Sequence, residues 1–218
     1  MTGTKAPTDD LWEALYTQRA IRYFKPDAVP EELLWKVIEA ATRAPSGTNT
    51  QPWGFVIVRD AAMRKRIADE IRERFGQNPA MKSYIESGRQ SSDKTARLMM
   101  TGVSNIVEHL DSAPVFIIPC LYNVTSPAPE GLLAGSSIYQ AVQNLLLAAR
   151  GLGLGTVMTT FQAGMVPQLT EWLKLPPGAV PAALIPLGYP DRNFGPVKRK
   201  PVEEVTHWEI WGSHKGRG

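Results

Sequence analysis

The chain is 218 residues long, 43% hydrophobic and 21% charged, which is ordinary for a soluble globular protein of one domain, long enough to bury a real core. Its net charge is only +3 and its Lys and Arg form no long run, which disfavours nucleic acid as the main partner. The lone cysteine, Cys120, rules out an internal disulfide; the polar start Met1–Asp10 lacks a signal-peptide core, and no apolar run is long enough to span a membrane, so a cytoplasmic home is expected.

In chain order, residues 1–8 read as a loose arm and about Asp9–Thr17 as a short helix with Leu11, Trp12 and Leu15 on one stripe. Pro30 and Glu31-Glu32 suit a first helical turn, Leu33, Leu34, Val37, Ile38 and Ala41 repeat at helical spacing, and Pro45 ends the run. Phe55–Val58 reads as a buried strand and Ala61–Phe75 as a polar amphipathic helix with Ile67 and Ile71 on one face. Residues 76–95 are rich in Gly, Ser, Asn and Gln and read as a mobile excursion with a short helix at most, the kind of lid that covers a site. Thr95–Leu110 is expected to be helical, and Val115–Tyr122 a second buried strand with Cys120 as a small hydrophobe.

Leu132–Gly151 reads as a long helix, Gly155–Thr160 as a third strand, Val166–Leu173 as a short helix and Ala182–Gly188 as a fourth strand. Gly151-Leu-Gly-Leu-Gly155 is not a dinucleotide fingerprint, because it follows a helix and precedes a strand; it reads as a helix stop. The tail from Pro190 is Pro- and charge-rich but carries His207-Trp-Glu-Ile-Trp211, whose late apolar anchors suggest docking on its own domain or on a partner subunit. Helices alternating with short strands, without a repeat, point to an α/β or α+β layered domain over residues 1–218.

The most informative stretch is Arg43-Ala-Pro-Ser-Gly-Thr-Asn-Thr-Gln-Pro-Trp53. It packs hydroxyl and amide side chains between two prolines, a poor recipe for a core and a good one for holding a planar polar heterocycle. Arg19 and Arg22 lie one helical turn apart before the first long helix, and Lys198-Arg-Lys200 lies near the end. Guanidiniums fork onto phosphate oxygens, so two basic clusters and one polar loop suggest a phosphorylated cofactor held from both ends of the chain. The plain alternatives are solvated charges, a loop stapled to its own backbone, and β-propensity for Thr159-Thr160. His109, His207 and His214 are scattered and form no metal set, and no Gly-x-Ser-x-Gly elbow exists.

Taken together, Arg19-Ala-Ile-Arg-Tyr-Phe24, Ala44-Pro-Ser-Gly-Thr-Asn-Thr-Gln-Pro-Trp53, Gln140-Ala-Val-Gln-Asn-Leu145, Gly151-Leu-Gly-Leu-Gly-Thr156, Pro186-Leu-Gly-Tyr-Pro190 and Lys198-Arg-Lys-Pro201 resemble the nitroreductase superfamily of FMN-dependent oxidoreductases, in order and spacing over nearly the full length. The resemblance implies an α+β fold with a mainly antiparallel sheet flanked by helices, an intertwined homodimer, and FMN at the subunit interface. It places Gln18, Arg19, Ala20 and Arg22 at the phosphate and pyrimidine edge, with Lys198 and Arg199 at the phosphate. Pro45, Ser46, Gly47 and Asn49 would edge the ring from the partner subunit. Met158, Thr159 and Thr160 would run past N5, with Thr160 as a candidate N5 partner, while Thr48 and Tyr84 would face the acceptor.

One departure is that Gln18 and Ala20 stand where many members have Arg and Ser. The activity implied is ping-pong hydride transfer from NADH or NADPH to nitroaromatics, quinones or similar small-molecule electrophiles. Two alternatives are a reductive dehalogenase of halogenated phenols or tyrosines, suggested by Ala-Pro-Ser-Gly and Thr159-Thr160, and a flavin-binding protein without turnover. For the dehalogenase, the lid offers Lys82, Tyr84, Glu86 and Arg89, but not at the expected spacing.

Overall fold

The computed structural model describes residues 6–122 and 135–216. Among the described residues seven α-helices run in chain order as α1 (Leu11–Thr17), α2 (Glu31–Thr42), α3 (Ala61–Gly76), α4 (Pro79–Arg89), α5 (Lys94–Glu108), α6 (Ile138–Gly151) and α7 (Val166–Leu173). Five described strands, β1 (Trp53–Val58), β2 (Val115–Leu121), β3 (Gly155–Thr156), β4 (Val180–Pro181) and β5 (Ile185–Gly188), form one sheet in the order β1-β2-β5-β3, with β4 beside β2. Every strand pairing is antiparallel. The expected α+β class with a mainly antiparallel sheet is therefore present.

The pleat of β2 explains the layering. Val115 and Ile117 face a core with Leu34, Val37, Val142 and Leu145 of α2 and α6. Phe116, Ile118 and Cys120 face the other core, with Ile67 and Ile71 of α3, Ile106 of α5 and Leu169 of α7. Side chains alternate across a strand, so a continuous apolar run such as Val115–Leu121 feeds helices on both faces. Each large side chain buried this way contributes about 1.5–3 kcal/mol. Cys120 is the small buried hydrophobe expected, and burial pushes its thiol up to about 11.

Four boundaries differ from the sequence reading. The strand expected over Ala182–Gly188 runs only from Ile185 to Gly188, and a two-residue strand, Val180–Pro181, precedes it. Most of the 76–95 excursion is helical: Asn78 caps α4 by accepting from Met81 N at 3.0 Å, Pro79 opens it, and Asp93 caps α5 by accepting from Ala96 N at 2.6 Å. Asn followed by Pro, and Asp before Lys-Thr-Ala, are helix-start signals that the surrounding Gly and Ser obscure. The third strand is shorter than Gly155–Thr160; it ends at Thr156, and only an isolated bridge from Thr159 to Leu184 follows. Helix α6 starts at Ile138, and residues 132–134 lie outside the described residues. No described helix is long and apolar enough to cross a membrane.

The glycine turn is a helix stop, as expected. Gly153 N donates to Arg150 O at 3.0 Å and Leu154 N to Ala149 O at 2.7 Å, with Gly153 at φ +75°. This is a Schellman closure, and it needs the left-handed backbone that glycine adopts without strain.

Candidate active site

Residues 18–25 leave α1 and lie along the free side of β3. Ala20 bridges Thr156 in parallel, Ile21 N donates to Thr156 O at 2.9 Å, and Lys25 N donates to Tyr189 O at 2.9 Å. Ile21 and Phe24 are buried in the core. Arg19 is exposed and Arg22 is half-buried. Helix α5 packs onto Arg22 through Gly102, where a Cβ would come 3.1 Å from Arg22 Cδ, and Asn105 Nδ2 donates to Arg22 O at 2.7 Å. On the other side, Arg19 Nη1 abuts Gly195, at 3.7 Å from the position of a Cβ there.

The electrostatics of this segment stand out. Other described arginines have partners: Arg43 pairs with Glu39, Arg64 donates to the carbonyls of Asp111 and Ala113, and Arg66 stacks on Trp172. Among the described residues, the side chains of Arg19 and Arg22 have no carboxylate, carbonyl or ring partner. Arg22 is held below the usual arginine range, first by burial and then by the charge of Arg19. A half-buried cation without a counter-charge beside a second cation is costly alone and favourable once an anion arrives. Lys198 and Arg199 are exposed, and Arg199 donates only to the adjacent Lys198 carbonyl, at 2.9 Å.

The loop after α2 is strained. Thr48, Asn49 and Gln51 all have left-handed φ, at 48°, 55° and 49°. Its hydroxyls are spent internally: Ser46 Oγ accepts from Gln51 N at 3.0 Å, and the Thr48 and Thr50 hydroxyls donate to Gly47 O at 2.8 and 2.9 Å. Gly47 N donates to Ser137 Oγ at 3.2 Å, which ties the loop to the start of α6. Pro45, Gly47, Thr48, Asn49 and Gln51 face solvent. No described hydrogen bond joins this loop to Arg19, Arg22 or Thr160 within one chain.

At the end of the Gly155–Thr160 segment the two threonines differ. Thr159 is buried, and its hydroxyl donates to Leu184 O at 2.7 Å. Thr160 is exposed and lines a cavity of about 340 Å³ with the apolar Phe75, Met81, Val103 and Phe161 and the polar Arg74 and Asn78. The Phe75 and Phe161 rings meet edge to face at 5.2 Å. Met158 is also exposed. Tyr84 lies on α4 but is 62% exposed and is not part of this wall; Met81, one turn earlier, is. The sequence reading missed Phe75, Met81, Val103 and Phe161. Apolar residues at helical spacing look the same whether they face a core or a cavity. Lys82, Glu86 and Arg89 open onto a second cavity of about 450 Å³, with Arg72, Ser104 and Glu108.

The tail does not bury its anchors on its own chain. Trp208 is 45% and Trp211 88% exposed. The tail folds on itself, with His207 against Trp211 and His214. No three described His, Cys, Asp or Glu side chains gather as a metal set.

The profile of the nitroreductase family matches residues 15–189, from α1 to Tyr189, whose carbonyl accepts from Lys25 N. This chain belongs to the nitroreductase family. It is 30% identical to the NADH dehydrogenase of Thermus thermophilus over 215 residues, covering 93% of this chain and 97% of that one. It is 31% identical to iodotyrosine deiodinase 1 of Rattus norvegicus over 204 residues, covering 91% of this chain and 69% of that one. The solved structure of oxidized iodotyrosine deiodinase bound to FMN and 3-iodo-L-tyrosine superposes with a TM-score of 0.70 over 93% of this chain and all of that one, at 22% identity, which establishes the shared fold.

Proposed function

We propose that this nitroreductase-family protein is an FMN-dependent oxidoreductase that uses NADH or NADPH to reduce nitroaromatics, quinones or related electrophiles in ping-pong order. The observation that carries the reading is the pair Arg19 and Arg22, left without counter-charges where β3, α5 and the Gly195 segment meet. The donor set fits FMN: two unpartnered guanidiniums suit a phosphate dianion, and the exposed Asn49 and Gln51 suit the edge of a heterocycle.

Gln18, Arg19, Ala20 and Arg22, with Lys198 and Arg199, would hold the phosphate and ribityl end. Pro45, Ser46, Gly47 and Asn49 would reach the ring from the partner in a homodimer. That arrangement accounts for a strained, solvent-facing loop with no tie to the arginines of its own chain, and for exposed Trp208 and Trp211. Bound FMN supplies the hydride chemistry; the protein binds it, orients it and shapes the acceptor space. Thr160, with a hydroxyl free of described protein partners, is the side chain suited to N5, since the Thr159 hydroxyl is engaged by Leu184. The acceptor would enter beside Thr160, where Phe75, Met81, Val103 and Phe161 present an apolar wall to a flat ring and exclude water.

Reductive dehalogenation of a tyrosine is the second reading, favoured by the likeness to iodotyrosine deiodinase. A zwitterionic substrate needs free charges of both signs facing it, yet Lys82, Glu86 and Arg89 face the other cavity, and Arg74, which does line the Thr160 cavity, is paired with Glu70 at 2.6 Å. This supports the nitroaromatic or quinone reading instead. Steady-state oxidation of NADH and NADPH by the FMN-loaded protein, with a nitroaromatic, a quinone or 3-iodotyrosine as acceptor, tests all three readings. Turnover with the first two acceptors is expected. Turnover with 3-iodotyrosine alone would favour the second reading, and no turnover would leave a flavin-binding protein.

A further inference from the structure

Arg150 is the largest fully buried side chain among the described residues, at 1% exposure, yet it lies outside every group assigned to the site. Burying a guanidinium is unfavourable unless its donors are met. Here they are. Nε donates to Thr17 Oγ1 at 2.8 Å, Nη1 to Ala6 O at 2.8 Å, and Nη2 to Glu13 Oε1 at 2.9 Å. The Thr17 hydroxyl in turn donates to Glu13 O at 2.6 Å, and the Thr8 hydroxyl donates to Glu13 Oε2 at 2.8 Å. The flat face of the guanidinium covers the Phe194 ring at 4.3 Å. Arg150 sits in the last turn of α6, where the helix dipole also favours a cation.

These partners are not spread at random. Glu13 and Thr17 belong to α1, and the residues that follow are Gln18 and Arg19. Phe194 precedes Gly195, which abuts Arg19 Nη1. Val197 N donates to Tyr16 O at 3.1 Å, so the chain leading to Lys198 and Arg199 is hung from α1 as well. The two basic segments, separated by most of the sequence, both converge on one planar cation whose directions are set by three donors and a ring face. An apolar side chain of similar size would fill the space without fixing any of these angles.

We infer that Arg150 is the positioning residue for the phosphate end of the cofactor site, aligning Arg19 with the 194–199 segment without touching the cofactor. The inference rests on the FMN reading above. If it holds, loss of Arg150 costs the phosphate contact and spares the ring contacts, so its signature is a loss of discrimination between FMN and riboflavin.

The test titrates refolded apoprotein with FMN and with riboflavin in parallel, following flavin fluorescence, for wild type, Arg150→Met, Arg150→Lys and Glu13→Gln. For Arg150→Met, FMN affinity is expected to fall about 10- to 100-fold, the range that losing a partner behind a metal ligand costs, and riboflavin affinity less than about threefold. Arg150→Lys keeps the charge and loses the fork, so it should fall between wild type and Arg150→Met. Glu13→Gln should move in the same direction, and these two variants decide the matter if Arg150→Met does not fold. Folded variants that keep the wild-type preference for FMN, or that weaken both flavins equally, would overturn the inference and leave Arg150 a packing residue. A wild-type protein that binds both flavins alike would instead overturn the FMN reading itself.

Discussion

Arg22→Met separates binding from stability with opposite signs. The methionine keeps an unbranched stem against Gly102 and removes the charge. In the unliganded protein Arg22 is half-buried, has no counter-charge and is held below the usual arginine range, first by burial and second by Arg19. A base whose folded pKa lies below its unfolded one costs stability at every pH where it is charged. For arginine that covers the whole working range, so the cost does not vary with pH there. Arg22→Met removes it, and the apoprotein should unfold at the same temperature as wild type or higher. FMN binding should move the other way. A charge-assisted contact is worth about 1.5–3 kcal/mol, which is roughly a 10- to 150-fold rise in Kd. Lys65→Met is the control: Lys65 pairs with Asp69 on an exposed face of α3, and such pairs contribute about 0–1 kcal/mol. The assay is a flavin fluorescence titration of each apoprotein, with thermal unfolding alongside. An Arg22→Met protein that binds FMN within threefold of wild type would refute the assignment. So would one whose apo form loses as much stability as its affinity for FMN.

Three further outcomes are expected. Gly155→Ala puts a Cβ 2.7 Å from Ile21 Cγ2, so it should cost about 1–3 kcal/mol in thermal unfolding and weaken FMN by displacing residues 20–22; full stability would mean that β3 and Ile21 are not packed as described. Met81→Ala should raise the acceptor KM more than Tyr84→Ala does, because Met81 lines the cavity at Thr160 and the exposed Tyr84 is not in its lining; the reverse order in steady-state kinetics would relocate the acceptor. Trp211→Glu places a charge on the tail's most exposed ring, so light scattering after size exclusion should show a homodimer turning to monomer with loss of FMN; a wild-type protein that is monomeric while holding FMN would remove the shared-site reading.

Much of the fold is legible along the chain because local chemistry and final structure agree. The apolar run of β2, the helical spacing of Leu34, Val37 and Ala41, and the glycine stop after α6 each force one local outcome. Residues 76–95 were misread because their capping residues, Asn78 and Asp93, also favour turns, and only an apolar neighbour decides between the two uses. The short β3 follows from pairing rather than propensity: Thr159 turns its hydroxyl and its N–H to Leu184 O, and no ladder continues past it.

The site divides in the same way. That Arg19, Arg22 and Lys198-Arg-Lys200 form basic groups, and that Arg43–Trp53 is a polar loop, follows from residue identity. Charge and hydrogen-bonding capacity belong to a residue wherever it lies. Which of those charges lacks a counter-ion does not follow, because a partner is a matter of distance between segments far apart in sequence. Only the folded chain brings Gly102 over Arg22, sets Phe194 beneath Arg150, and turns Thr160 to a cavity while Thr159 is buried. Those are non-local contacts, and no pattern of neighbours along the chain encodes them.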